Sequence, residues 1–306
     1  MEKLRYKLEQ PPEFDYHYLL TPASIIKNDF CNIWNNITKK IDLDISTDTA
    51  FEELKNLVIY EALDGSRSTL NQKFGRGIEG ALFTINFMHI LKVLDAKKCL
   101  IMIHTFYNRK RGVKEFEKIL EDIKIGAPLI ERYAIENNSC CYCICNNENH
   151  ELINLLKKVT ISTRKGDFRS YFLFDYSEDW AMTEKGQNMI KILPEIDVHI
   201  RHTKFQFSGG WIPDKMSHSA FVYSQNGTTY NNWDSDEIVA LIAIALLAKL
   251  LHRGELLNKT YATNGEIVRR NETRELELFN KVIKLRKESK KLFIIGSPLG
   301  IYQLYY

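Results

Sequence analysis

The sequence predicts an α/β fold: a mostly parallel central sheet of about six strands, covered by helices on both faces. Two observations carry that prediction. Short apolar, β-rich runs recur at Leu57–Tyr60, Cys99–His104, Cys140–Cys145, Tyr171–Phe174, Val198–Ile200 and Ala220–Tyr223. Segments of helical period separate most of them. The clearest is Gly80–Leu94, where Phe83, Phe87, Ile90, Leu91 and Leu94 return at helical spacing. Strands alternating with helices make βαβ units, and in such sheets ligands bind beyond the carboxyl ends of the strands.

Taken in order, residues 1–50 read as an N-terminal helical extension. Pro11 and Pro12 break its start, and a polar helical stretch runs from about Ala23 to Ile41. Residues 51–255 carry the strand–helix alternation, with further helical segments at Val113–Ile123, Glu148–Lys158 and Ser177–Leu193. The run Ser139–Cys145 holds four of the six cysteines. Cys140 and Cys143 form a C-x-x-C, but no second pair closes a tetrahedral metal site, so a buried strand with Cys141, Cys143 and Cys145 on one face is the reading. Ile238–Ala248 is unbroken apolar sequence, extended by Leu250 and Leu251. It is shorter than the ~20 residues that cross a bilayer. A wholly buried helix or a subunit interface accounts for it, with contact at a membrane surface as a third option. Residues 256–306 form a C-terminal helix, Glu272–Lys291, and a return segment packing on the same domain. The basic face of that helix reads as solvated, with attraction to anionic lipid as the alternative.

Composition narrows the function. The 306 residues carry 42 Lys+Arg against 39 Asp+Glu, a net +3, which argues against a protein that coats nucleic acid. The Arg109-Lys110-Arg111 run is the sole support for that class and reads as a solvated loop. The first residues lack the apolar core of a signal peptide, and free cysteines suit a reducing compartment, so a cytoplasmic location is expected.

The segment after the first strand carries the chemistry: Asp64-Gly65-Ser66-Arg67-Ser68. A carboxylate there can bind Mg²⁺, which keeps several waters and bridges phosphate oxygens. An Arg forks onto phosphates, and free N–H groups at a helix start favour anions. The competing reading is a plain Asp-Gly turn. Downstream, Gly75-x-Gly77-x-x-Gly80 matches a dinucleotide fingerprint in letters only. The glycines lie well past the strand end, and His104 and Thr105 occupy the place of the ribose-binding acid.

In this context the chain resembles the cis-prenyltransferases, the undecaprenyl diphosphate synthase superfamily, over roughly residues 55–250. Asp64-Gly65-Ser66-Arg67 is similar to the family's Asp-Gly-Asn-(Gly/Arg)-Arg, and His104 through Arg109 stands where the family has Phe-Ser-x-Glu-Asn. Phe174 through Asp179 resembles the Asn-Tyr-Gly-Gly-Arg turn, and Ile196 through Thr203 resembles Asp-Leu-x-Ile-Arg-Thr-x-Gly-Glu. Ser217 through Tyr223, with Trp233 beyond, resembles Ala-Tyr-Ser-Glu-Phe-Tyr-Phe and its trailing Trp. Ala220 replaces that element's metal-binding Glu. Phe207 and Phe205 fall near the second Arg and the Glu of the preceding signature. Comparable losses mark a divergent branch, the tuberculosinol (tuberculosinyl adenosine) synthases, which the C-terminal segment from Leu292 to Tyr306 also resembles. That branch has Asp-Gly-Thr-Arg-Arg, where this chain has Ser68 for the second Arg.

The resemblance implies an enzyme that ionises an allylic prenyl diphosphate with Mg²⁺ and releases diphosphate. The carbocation passes to water, to proton loss or to a non-isopentenyl acceptor. Asp64 would hold the metal, and Arg67 and Arg201 the leaving group. Gly65, Ser66 and Ser68 would complete the cradle, and Asn108, Phe205, Phe207 and Tyr223 would line or close the pocket. Phe205 and Phe207 also read as plain core, and Arg201 as a surface ion-pair partner. A homodimer, possible peripheral membrane contact and no nucleic-acid partner complete the implied picture. Two alternatives stay open: cis-prenyl chain elongation with isopentenyl diphosphate, and a catalytically silent homologue acting as a binding subunit.

Overall fold

The computed structural model describes residues 14–40, 44–62, 74–201, 210–217, 219–224, 235–261, 292–297 and 300–305. The chain opens with α1 (Ala23–Lys40) and α2 (Thr47–Leu54), then β1 (Val58–Ala62), α3 (Arg76–Val93) and β2 (Lys98–Thr105). A 3-10 turn at Phe106–Arg111 leads into α4 (Val113–Glu136), β3 (Ser139–Cys145), α5 (His150–Ser162) and β4 (Phe168–Tyr176). Next come α6 (Glu178–Ala181), α7 (Glu184–Ile190), β5 (Val198–Arg201), α8 (Pro213–Met216), β6 (Ala220–Ser224) and α9 (Ser235–Tyr261). Last are β7 (Leu292–Ser297) and β8 (Gly300–Tyr305).

The strands form one sheet in the order β3-β4-β2-β1-β5-β6-β7-β8. The six strands read from the apolar runs are all present, and every pairing among them is parallel. To these the C-terminal return segment adds two antiparallel strands, β7 against β6 and β8 against β7. All five residues of β1 are buried, as a central strand covered on both faces requires.

The pleat sorts side chains into two cores. On one face Ile59, Cys99, Ile101, Phe172, Val198 and Val222 pack beneath helices α1, α3, α4, α5 and α9. On the other, Val58, Tyr60, Leu100, Met102 and Leu173 pack against Trp180, Ile190, Ile212 and Met216 from the short helices and their loops. Helices α1 and α2 bury Ile26, Phe30, Trp34, Ala50 and Leu54 in the same core as Leu57 and Ile59. Residues Ile238–Ala248 of α9 are no more than 2% exposed, so this chain itself covers that apolar run. Among the described residues no helix is long and apolar enough to cross a membrane. The basic helix expected at Glu272–Lys291 lies outside the described residues.

Two segments differ from their sequence reading. The helix expected at Val113–Ile123 continues to Glu136 through Gly126 and Pro128. The helix expected over Ser177–Leu193 is two, because Thr183 accepts a hydrogen bond from the Gly186 amide and starts α7 afresh. The glycines of the fingerprint serve packing. Gly75 takes φ +86° at the N-terminus of α3, and Gly77 lies against α4. A Cβ on Gly77 would stand 2.7 Å from the Asp122 carbonyl oxygen, and one on Gly126 would stand 2.9 Å from the Gly77 carbonyl oxygen. Two helices in such close approach have no room for a methyl group. Gly77→Ala is expected to force the helices apart and destabilise the protein by about 1–3 kcal/mol, measured by urea unfolding.

Candidate functional site

The carboxyl ends of β1, β5 and β6 lie side by side. Ala62 pairs with Arg201, and Arg201 pairs in turn with Tyr223. Of the residues expected to bind a phosphorylated ligand, Asp64, Gly65, Ser66, Arg67 and Ser68 fall outside the described residues, as do Phe205 and Phe207. Tyr223 is placed by its backbone on β6, and Asn108 sits half-buried in the 3-10 turn that follows β2. Arg201 is 2% exposed, which corrects its reading as a surface ion-pair partner. Alternation along β5 puts Arg201 and His199 on the face that carries Tyr60 and Ala62.

His199 is fully buried at that edge. Its ring stacks on Tyr60, with centroids 4.5 Å apart, and meets Phe221 edge-on at 5.4 Å. Burial, reinforced by the charge of Arg201, pushes its pKa well below the usual imidazole range, so the ring is neutral. The Tyr60 hydroxyl donates to the Gly210 carbonyl at 2.8 Å, and the Tyr176 hydroxyl donates to the Trp211 carbonyl at 2.7 Å. The Trp211 amide donates to Glu178 at 3.0 Å. These three bonds fix where the chain re-enters the sheet edge after β5. Gly210 has φ +95°, and a Cβ there would lie 2.7 Å from the Tyr60 hydroxyl oxygen.

A second polar cluster joins the ends of β2, β3 and β4. Asp175 is completely buried and holds a left-handed backbone, φ +55°. Its carboxylate accepts from Arg109 through Nε, at 3.1 Å, and through Nη2. It also accepts from the Asn147 side chain through Nδ2, at 3.1 Å. The Asp175 amide donates to His104 Nδ1 at 3.3 Å, and His104 Nε2 lies 3.6 Å from Asp175 Oδ1. The Arg109 guanidinium also covers the rings of Phe106 and Phe116, at 4.7 and 5.2 Å. Arg109 is therefore no residue of a solvated basic loop: it anchors the turn that carries Asn108. Sequence reasoning missed this cluster. The resemblance marked His104–Arg109 and Phe174–Asp179 as segments, but nothing local pairs Asp175 with Arg109.

Cys141, Cys143 and Cys145 share one face of β3, as the alternation predicts, and pack against the larger core. All six cysteines are free. Burial pushes the Cys143 thiol up to about 12 and that of Cys145 to about 11, so neither is primed as a nucleophile or ligand. Among the described residues no three His, Cys, Asp or Glu side chains converge to hold a metal ion.

No family model matches the chain, and no curated protein matches it in sequence. Solved structures do match. Lavandulyl diphosphate synthase from Lavandula x intermedia, solved in complex with dimethylallyl diphosphate, is 12% identical with a TM-score of 0.53, the match covering 64% of this chain and 96% of that one. A probable undecaprenyl diphosphate synthase from Campylobacter jejuni is 15% identical with a TM-score of 0.47, over 62% of this chain and 93% of that one. At such identity the likeness to the Lavandula enzyme is one of fold: an α/β architecture on a mostly parallel sheet.

Two measurements test the second cluster. Burial lowers the His104 pKa from 6.5 to about 4, the Arg109 charge reinforcing it and Asp175 opposing it. The unfolded chain therefore takes up a proton that the folded one refuses. Stability is complete above pH ~6.5 and declines towards pH ~4, by on the order of 2–3 kcal/mol. In His104→Gln that part of the acid dependence disappears from denaturant titrations. Asp175→Ala strands Arg109 and Asn147 and is expected to cost about 3–5 kcal/mol in the same assay.

Proposed function

We propose that the protein is a prenyl-diphosphate-dependent enzyme that ionises an allylic prenyl diphosphate and releases diphosphate. The observation that carries this reading is the pairing of Ala62 with a buried Arg201. It sets a guanidinium one strand away from the point where β1 hands over to Asp64–Ser68. The fold shared with the Lavandula enzyme supports the same reading at the level of architecture. Crevices beyond the carboxyl ends of parallel strands are where such folds bind ligands.

In this proposal Asp64 would hold Mg²⁺, since one carboxylate plus substrate phosphates is an ordinary magnesium set. The ion's contribution is to neutralise charge on the leaving group. Arg67 and Arg201 fork onto the phosphate oxygens, with Gly65, Ser66 and Ser68 completing the cradle. The C–O bond breaks with its electron pair departing on the diphosphate. The allylic cation is then captured by water or another acceptor, or it loses a proton. In this proposal the rings of Phe205, Phe207 and Tyr223 would lie against that cation, and Asn108 would close the edge from the far side of β1. A reducing, cytoplasmic setting accords with the free cysteines. A homodimer belongs to the proposal through the resemblance alone, because Ile238–Ala248 is already covered within one chain.

One alternative has its own observation. Ala220, which stands where the resembled family has a metal-binding Glu, is completely buried in the larger core on the face opposite Arg201, and this favours a catalytically silent homologue that serves as a binding subunit. The two readings part in one assay. Purified protein with Mg²⁺ and C10–C20 prenyl diphosphates should release diphosphate, and Asp64→Ala should lower that release about 100-fold or more. No release with any substrate, or unchanged release in Asp64→Ala, overturns the proposal. Incorporation of radiolabelled isopentenyl diphosphate would assign chain elongation instead.

A further inference from the structure

The chain that leaves β5 after Arg201 returns to the sheet edge at Gly210, and the peptide unit joining Gly210 to Trp211 is held at both ends. Its carbonyl accepts from the Tyr60 hydroxyl at 2.8 Å, and its N–H donates to Glu178 Oε1 at 3.0 Å. The next carbonyl, that of Trp211, accepts from the Tyr176 hydroxyl at 2.7 Å. Three side chains from β1, β4 and α6 thus orient two successive peptide units.

Glu178 differs from the two phenols. Tyr60 and Tyr176 are buried in the sheet, whereas Glu178 opens α6 and is half-buried. It also faces a second loop. Its charge, ahead of burial and the charge of Asp179, raises the pKa of the Tyr107 phenol. Tyr107 precedes Asn108 in the turn after β2, and Lys110 Nζ stands 5.0 Å from the centre of its ring. Three residues before Glu178, Asp175 holds Arg109 of that same turn through Nε at 3.1 Å. One junction, from β4 into α6, therefore reaches both the turn that bears Asn108 and the point where the chain returns after Arg201. Aligned on Tyr176, the Asn-Tyr-Gly-Gly-Arg turn of the resembled family has glycine in the place of Glu178, so the contact belongs to this chain's own sequence.

A carboxylate that accepts from a backbone N–H makes a charge-assisted bond, stronger than a neutral one, and an amide left without its acceptor costs more than the bond gains. Between Arg201 and Gly210 lie residues 202–209, with Phe205 and Phe207 among them, so this clamp sets where that span ends. We propose that Glu178 is a positioning residue for the proposed reaction: by clamping the Gly210–Trp211 peptide, it aligns the loop after β5 with the turn that carries Asn108 around one diphosphate. The role rests on the reading of this edge as a diphosphate site. Glu178 itself touches no reacting atom in it.

The test joins steady-state diphosphate release from C10–C20 prenyl diphosphates with hydrogen exchange at Trp211, the latter run without substrate. Glu178→Ala should lower kcat about tenfold at little changed KM, because charge on the leaving group develops only as the bond breaks. The same variant should speed exchange of the Trp211 amide by about tenfold or more, on the scale of one hydrogen bond to a charged group. Glu178→Gln keeps an oxygen acceptor without the charge, and should stay within about threefold of the parent in both measurements. Thr163→Val removes a comparable bond, the one its hydroxyl accepts from the Cys141 amide at 2.9 Å near the start of β3. It should lower stability in urea yet leave kcat within about twofold of the parent. Unchanged exchange in Glu178→Ala overturns the proposal. So does a loss confined to KM, a Gln variant as impaired as the Ala one, or an equal fall of kcat in Thr163→Val. A parent that releases no diphosphate overturns the reading of the edge and this role with it, whereas parent-like release by Glu178→Ala overturns this role alone.

Discussion

Burial of β1 on both faces, with a parallel partner on each side, is the constraint from which the placement of the chemistry follows. Every side chain of Val58–Ala62 is committed to packing, Glu61 included. A strand in that position has no solvent-facing surface on which to carry a reactive group. What it can do is set the point at which the chain leaves the sheet. Its neighbours leave on the same side because the pairing is parallel. The carboxyl edge thus gathers the loop after β1, the 3-10 turn after β2, the end of β4 and the end of β5 into one neighbourhood.

Electrostatics at that edge is arranged in two units on either side of β1. Toward β5, a buried guanidinium at Arg201 lies two residues from a neutral imidazole at His199, and the phenol of Tyr60 ties the returning chain at Gly210. Toward β4, the buried carboxylate of Asp175 takes donors from Arg109 and Asn147, which come from two different loops. A buried carboxylate is tolerable only with partners such as these. The left-handed backbone at Asp175 is the strain accepted for aiming that carboxylate inward. Because Arg109 belongs to the same short turn as Asn108, the pair also fixes where that turn stands.

Periodicity made the architecture legible, and tertiary contacts decided what periodicity missed. Runs such as Val198–Ile200 are short and apolar because the strand is buried on both faces, so they stand out in any reading. Helix α4 did not announce its length. Gly126 and Pro128 look like breakers, whereas Gly126 is required where α3 crosses and Leu129, Tyr133 and Ala134 carry the helix onward into the core. Strands β7 and β8 were not among the runs read as strands, although Leu292–Ile295 is itself short and apolar. At the candidate site, Arg201 and Asn108 were legible through the family resemblance of Ile196–Thr203 and His104–Arg109; Arg201 ends β5 and Asn108 lies in the turn after β2. The Asp175–Arg109 pair spans 66 positions in sequence, and no local pattern encodes such a contact. Arg109 consequently read as one more residue of a basic run.

Helix α3 joins that edge to the packing behind it. Its first residue follows Gly75 at the end of the segment that leaves β1, and its first turn presses on α4 beside a cavity of about 110 Å³. The glycines that let α3 approach so closely also deny that turn any side chain to fill the space behind it. A larger residue at Gly77 or Gly126 would part the helices, and a larger one at Ala81 would occupy the void. The small residues therefore do two jobs, drawing the helices together and leaving room between them. Arg76, clamped by Asp122 and Glu115, stands where both meet.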